Sequence, residues 1–188
     1  MEARQYAVVS YLTGPLAEFA ERLRAELAPD QAHLRAHITA LHPRPLSLAA
    51  SPTLEGGTQE CELAARALID QLCAQLAPIR ISLGEVLTFA PAHPTVYLPV
   101  EDGARHLRYL NSLLKAEPLN APDTWEYVPH LTLATLQDNA ASARASQTAT
   151  ERWRAYRGSR EFLIEELSLV REDSPNHWLD LHTANLGG

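Results

Sequence analysis

Two tetrapeptides, His37-Ile38-Thr39-Ala40 and His130-Leu131-Thr132-Leu133, repeat one form (histidine, apolar, threonine, apolar) 93 positions apart. Each sits in a run whose apolar residues alternate, the pattern of a half-buried strand. Side chains alternate along a strand, so His37 and Thr39 share one face while Ile38 and Ala40 take the other. The same parity separates His130 and Thr132 from Leu131 and Leu133. The chain must therefore fold with two apolar-backed strands, one per half, each showing an imidazole and a hydroxyl about 7 Å apart.

The rest of the chain alternates between strand and helix periods. Tyr6–Leu12 reads as a strand. Thr13-Gly14-Pro15 is a helix start, and residues 16, 19, 20, 23 and 27 form the apolar stripe of a helix to Leu27. A strand over about Ala36–His42 is stopped by prolines, and residues 43–57, with three prolines and two glycines, form a loop. A helix follows over Thr58–Leu76. Ile79–Phe89 and Thr95–Val100 read as two strands joined through Pro91 and Pro94. Asp102 caps a helix to about Ala116, Val128–Thr135 is a strand, and Asp138 caps a helix to about Arg157. Glu161–Val170 and Trp178–His182 close the chain as strands. Hairpin-like strand pairs mixed with helices predict an α+β fold. The recurrence of strand, helix and histidine-bearing strand in each half suggests two related lobes.

With 188 residues and 46% hydrophobic content, the chain is long enough for one ordinary core. No window approaches 18 consecutive apolar residues, and the N-terminus lacks a basic-then-apolar leader, so a cytoplasmic protein is expected. A formal net charge of −7 argues against coating duplex DNA, though a few arginines can still make a local anion pocket. Cys61 and Cys73 fall in one helix about 18 Å apart, too far to pair.

Two histidines and two hydroxyls facing each other suit phosphodiester chemistry. One neutral imidazole removes a proton from the attacking oxygen, the other delivers one to the leaving oxygen, and threonine hydroxyls donate to the non-bridging oxygens. His37, Thr39, His130 and Thr132 are thus the candidate catalytic residues, and this reading calls for no cofactor and no metal.

The tetrads resemble those of the 2H phosphoesterase superfamily. Their contexts, Ala36-His37-Ile38-Thr39 followed by Pro43-Arg44, and Val128-Pro129-His130-Leu131-Thr132-Leu133-Ala134, are similar to its 2′-5′ RNA ligase-like branch. Leu167–Arg171 and Trp178–Leu181 look like that branch's final hairpin. The resemblance implies a two-lobed, pseudo-twofold α+β fold of antiparallel sheets and flanking helices around a central groove, the whole of 1–188 being one domain of intertwined lobes. It implies metal-independent opening of a 2′,3′-cyclic phosphate, or cleavage or formation of a 2′-5′ phosphodiester, on RNA ends or nucleotides. No membrane or duplex DNA partner is implied, and the chain is expected to act as a monomer. The alternative is a non-catalytic RNA- or nucleotide-binding module using the same groove. RNA-processing relatives often carry a basic residue just after a tetrad. Here Arg44 is the nearest such charge, and Arg44 and Tyr11 are the candidate substrate-binding residues.

Other residues carry less. His42 falls on the face opposite His37 by parity and reads as surface or packing. His177, Asp180 and His182 could join the tetrad histidines around zinc, but no zinc-binding motif is present. Trp125, Tyr127 and Trp178 could stack a base or fill the core.

Overall fold

The computed structural model describes residues 4–48 and 57–187. Its elements run β1 (Tyr6–Tyr11), α1 (Gly14–Leu27), a 3-10 turn (Pro29–Gln31), β2 (His37–Arg44), α2 (Gly57–Gln75), β3 (Ile79–Ser82), β4 (Leu87–Thr88), β5 (Thr95–Pro99), α3 (Ala104–Leu114), β6 (His130–Thr135), α4 (Asn139–Ala155), β7 (Glu161–Ile164), β8 (Glu166–Ser174) and β9 (His177–Asn185). Seven strands form one antiparallel sheet in the order β4-β5-β6-β2-β1-β8-β9, and β3 pairs with β7 in a second, two-stranded sheet. Among the described residues, no helix is long and apolar enough to cross a membrane.

The order of elements repeats. β1-α1-β2-α2-β3-β4 is matched by β5-α3-β6-α4-β7-β8, and the two runs meet where β2 pairs β6. The halves are interleaved as well as adjacent. β4 of the first pairs with β5 of the second, and β8 of the second pairs with β1 of the first. Helices cross over too: α1 packs on β6 and α3 on β2. The expected α+β, pseudo-twofold architecture is therefore present, with the large sheet continuous through the axis.

Local sequence explains most elements. In α1, Leu16, Ala17, Ala20 and Leu23 are buried along one stripe. In α3, Leu107, Leu110 and Leu114 do the same. Each such leucine contributes about 1.5–3 kcal/mol on burial. Asp138 caps α4 as expected, accepting from the Ala141 amide at 2.7 Å.

Four readings of the chain change. Asp102 does not cap α3. Gly103 does, at φ +81°, because a Cβ there would lie 2.4 Å from the Arg80 carbonyl oxygen. Asp102 instead accepts from the Ser82 hydroxyl. The strand expected over Ile79–Phe89 splits into β3 and β4, which join different sheets. Glu161–Val170 splits likewise into β7 and β8, one for each sheet. Finally, β2 runs through Pro43 to Arg44, so the loop expected from 43 begins at Pro45, and its residues 49–56 lie outside the described part. Pro43 is tolerated near the strand's end, where fewer ladder bonds are needed. Cys61 and Cys73 are both free and buried on α2.

Candidate active site

Ile38 pairs with Leu131 at the centre of the large sheet. In an antiparallel pair this sets His37 on the Thr132 side and His130 on the Thr39 side. Both tetrad strands alternate as expected: His37, Thr39, His130 and Thr132 are half-buried, whereas Ile38, Ala40, Leu131 and Leu133 are buried.

The alternation then fails in both strands at the same place. Val9 pairs with Thr39 but Val8 with Leu41, so Ala40 is an extra residue. Tyr97 pairs with Thr132 but Val96 with Ala134, so Leu133 is extra. Each bulge buries two successive apolar residues, Ala40–Leu41 and Leu133–Ala134. Parity is thereby reversed, and His42 and Thr135 return to the groove side. The opposite-face placement of His42 is corrected by this bulge. His42 lines a cavity with His130, its ring edge-on to Tyr127 with centroids 5.5 Å apart.

Bulges leave strand carbonyls without ladder partners, and buried polar groups take them up. The Tyr127 hydroxyl donates to the Thr39 carbonyl at 2.8 Å. Asn111 of α3 donates to the Ala40 carbonyl at 2.8 Å. Arg24 of α1 donates to the Thr132 carbonyl at 2.6 Å and to the Leu34 carbonyl. Each helix thus holds the other half's tetrad strand. Sequence reasoning missed Arg24 and Asn111; the one signal was a polar residue next to a buried leucine, Leu23 or Leu110, on each helix.

The histidines are held alike. His37 Nδ1 lies 2.8 Å from the Arg35 carbonyl and His130 Nδ1 lies 2.6 Å from the Val128 carbonyl, each two residues back. A carbonyl only accepts, so both Nδ1 atoms carry the proton and both Nε2 atoms are left for chemistry. Burial pushes the pKa of His37 down to about 4, opposed by its carbonyl bond and reinforced by the charges of Arg24, His130 and Arg35. Burial also lowers His130, against the pull of the Val128 carbonyl, and lowers His42.

Two cavities flank the tetrads and share Pro43. The larger, about 720 Å³, is the more polar of the two and takes in His37, Thr39, Thr132, Arg24, Arg35 and Tyr11. The smaller, about 550 Å³, holds His130 and His42 among Phe89, Pro122, Trp125 and Val128. Phe89 and Tyr97 set their rings against His130 at centroid distances of 5.1 and 5.2 Å. Trp125 is 69% exposed at that cavity's wall, while Tyr127 is spent on packing and its bond to Thr39. Trp178 lines the larger cavity.

Tyr11 lies edge-on to His37 at 6.3 Å, under the Arg35 guanidinium at 3.6 Å, and donates to Asp180 at 2.6 Å. Arg35 also approaches Asp180 at 3.3 Å. It precedes the tetrad, where a search for a following charge does not look. Arg44 is 4% exposed, donating to the Leu119 and Ala121 carbonyls and to Asp123 at 2.7 Å. It is a wall of the smaller cavity and an anchor for the segment leading to Trp125. The zinc alternative is not assembled. His182 pairs with Asp70 at 2.6 Å and His177 stacks on His33, and among the described residues no three His, Cys, Asp or Glu side chains converge.

Known proteins share this fold. A putative phosphoesterase of Bacillus pumilus (strain SAFR-032) is 26% identical over 133 residues, 69% of each chain. E. coli LigT complexed with NADP+ is 15% identical with a TM-score of 0.64, and its complex with 3′-AMP is 17% identical with a TM-score of 0.61. In both comparisons the two chains are covered completely. The model of the 2′-5′ RNA ligase superfamily matches residues 13–176, and the chain belongs to that family of phosphoesterases.

Proposed function

We propose that this groove opens 2′,3′-cyclic phosphates, or cleaves or forms 2′-5′ phosphodiesters, at RNA ends or on nucleotides, using His37 and His130 as the proton-transfer pair. The observation that supports this reading is the matched pinning of both Nδ1 atoms to carbonyls, which leaves both Nε2 atoms free on the same face of the paired tetrad strands. LigT structures with 3′-AMP and NADP+ support a nucleotide-sized ligand.

In hydrolysis, one neutral Nε2 takes a proton from water as the water oxygen bonds to phosphorus. The other imidazolium gives its Nε2 proton to the ribose oxygen as the P–O bond to that oxygen breaks. Thr39 and Thr132 donate to the non-bridging oxygens. Burial, reinforced by the charges of Arg24, His130 and Arg35, favours the neutral form of His37, which suits the base; His130 then serves as the acid. A bound phosphate restores the charge balance that protonates His130. Both proton transfers come from histidine, so the reaction runs with chelator present.

The test is turnover of an RNA oligomer ending in a 2′,3′-cyclic phosphate, with EDTA, for wild type, His37→Ala and His130→Ala. Opening to one phosphomonoester isomer, lowered about 10²–10⁴-fold in each variant, is expected. Near-wild-type activity in either variant removes the two-histidine mechanism. Phosphate-competitive RNA binding without turnover identifies a binding module instead.

A further inference from the structure

Arg24 and Asn111 each reach from a helix to a carbonyl at the bulge of the opposite tetrad strand. Asn111 bonds the Ala40 carbonyl alone, whereas the Arg24 fork spans the Thr132 and Leu34 carbonyls and brings a full charge with it.

That charge is expensive. Arg24 is 2% exposed, and burial pulls its pKa below the ordinary arginine value. Among the described residues it forms no ion pair. Glu21, whose charge acts on it, turns its Oε1 to the Ala36 amide at 2.8 Å. A buried cation held only by carbonyls is costly unless an anion completes it. Arg24 lies in the wall of the larger cavity, beside His37, Thr39 and Thr132.

We infer that Arg24 is a positioning residue that also takes part in substrate binding. It aims the Thr132 strand through its fork, and its fixed charge is completed by the phosphoryl group of the substrate. This deepens the proposed function, on which it rests for the identity of the phosphoryl group. The pseudo-twofold site is thereby polarised, with a cation under the His37 side and a neutral amide under the other. An anion seated over Arg24 faces His37 and the Thr132 hydroxyl.

Inorganic phosphate is the first probe, titrated into wild type, Arg24→Met and Arg24→Lys while the His37 ring protons are followed by NMR. The charged or titratable groups facing His37 are Tyr11 from β1, Arg24 from α1, Arg35 just before β2 and His130 from β6, with Asp180 of β9 bound to Tyr11 and Arg35. Only Arg24 changes in these variants. Arg24→Met is expected to weaken phosphate at least about tenfold and to raise the His37 midpoint. Arg24→Lys keeps the charge but not the fork. It should hold phosphate within about threefold while shifting the Thr132 and Leu133 amide signals and lowering kcat on the cyclic-phosphate oligomer at least about tenfold.

Wild type that binds no phosphate overturns the inference. So does a folded Arg24→Met with unchanged phosphate affinity and His37 midpoint. If Arg24→Met does not fold, Arg24→Lys with wild-type Thr132 signals overturns it, and the expected lysine behaviour supports it. If wild type fails to open the cyclic phosphate, the proposed function falls, while the phosphate and NMR titrations still decide on Arg24.

Discussion

Thr39 and Thr132 stand on either side of the Ile38–Leu131 pair, and each has its backbone carbonyl bonded by a buried side chain, Tyr127 for one and Arg24 for the other. The two hydroxyls therefore ride on backbone fixed from behind, at positions related by the axis between the halves.

Thr39→Val and Thr132→Val remove the hydroxyls with little change in shape. Each should lower kcat about 10–10³-fold while KM moves less, because a donor to the non-bridging oxygens matters most where charge develops. Unchanged kcat in both variants, in steady-state assays on the cyclic-phosphate oligomer, would remove the threonines from the mechanism.

The activity profile should be bell-shaped and centred on the acid side. His37 must be neutral, which it becomes above about pH 4, and the activity limb rises there. His130 must be protonated, and burial puts its midpoint below 6.5, so kcat/KM falls before neutrality. In the substrate complex the phosphate charge raises His130, and the falling limb of kcat moves to higher pH. A kcat/KM optimum above pH 8 would contradict this assignment.

Stability should follow the same histidine. The unfolded chain binds a proton at His37 near pH 6.5, whereas the folded chain resists it to about 4. Stability is thus fully present above about 6.5 and is lost as pH falls toward 4, by on the order of 2–3 kcal/mol. Urea midpoints at pH 7, 5.5 and 4 should show a smaller loss in His37→Gln than in wild type.

Tyr127→Phe leaves the Thr39 carbonyl without its buried donor. A loss of about 1–2 kcal/mol is expected, with kcat falling alongside as the Thr39 strand loosens. Chemical denaturation together with turnover separates this from a surface change, for which neither would move.

Arg44→Met should destabilise the protein by about 1–3 kcal/mol, because it leaves two carbonyls beside a 4% exposed site without their donor, while Asp123 keeps its ion pair with Lys115. KM should rise too, since the Trp125 segment loses its tether. A urea midpoint equal to wild type would show that those bonds contribute nothing.

The tetrads were legible because strand parity is local: His37 with Thr39 and His130 with Thr132 needed only two-residue alternation. Parity misplaced His42 because Ala40 bulges, and a bulge depends on the register with β1, which the residues of β2 do not encode. Asp102 looked like a cap by type, but the close approach of Gly103 to the Arg80 carbonyl decided the helix start. Arg24 and Arg35 escaped a search confined to residues after each tetrad. Their roles come from crossing contacts between halves, which no single segment announces.

The exchange of strands between the halves also determines what either could be alone. A chain cut between β4 and β5 would leave the first half with β1 lacking β8, and the second with β5 lacking β4. Each fragment would present a bare strand able to recruit neighbours, and reassociation of the two would be the event that silences those edges. Solubility and the integrity of the groove are in this sense one property, secured by the same pair of swapped strands.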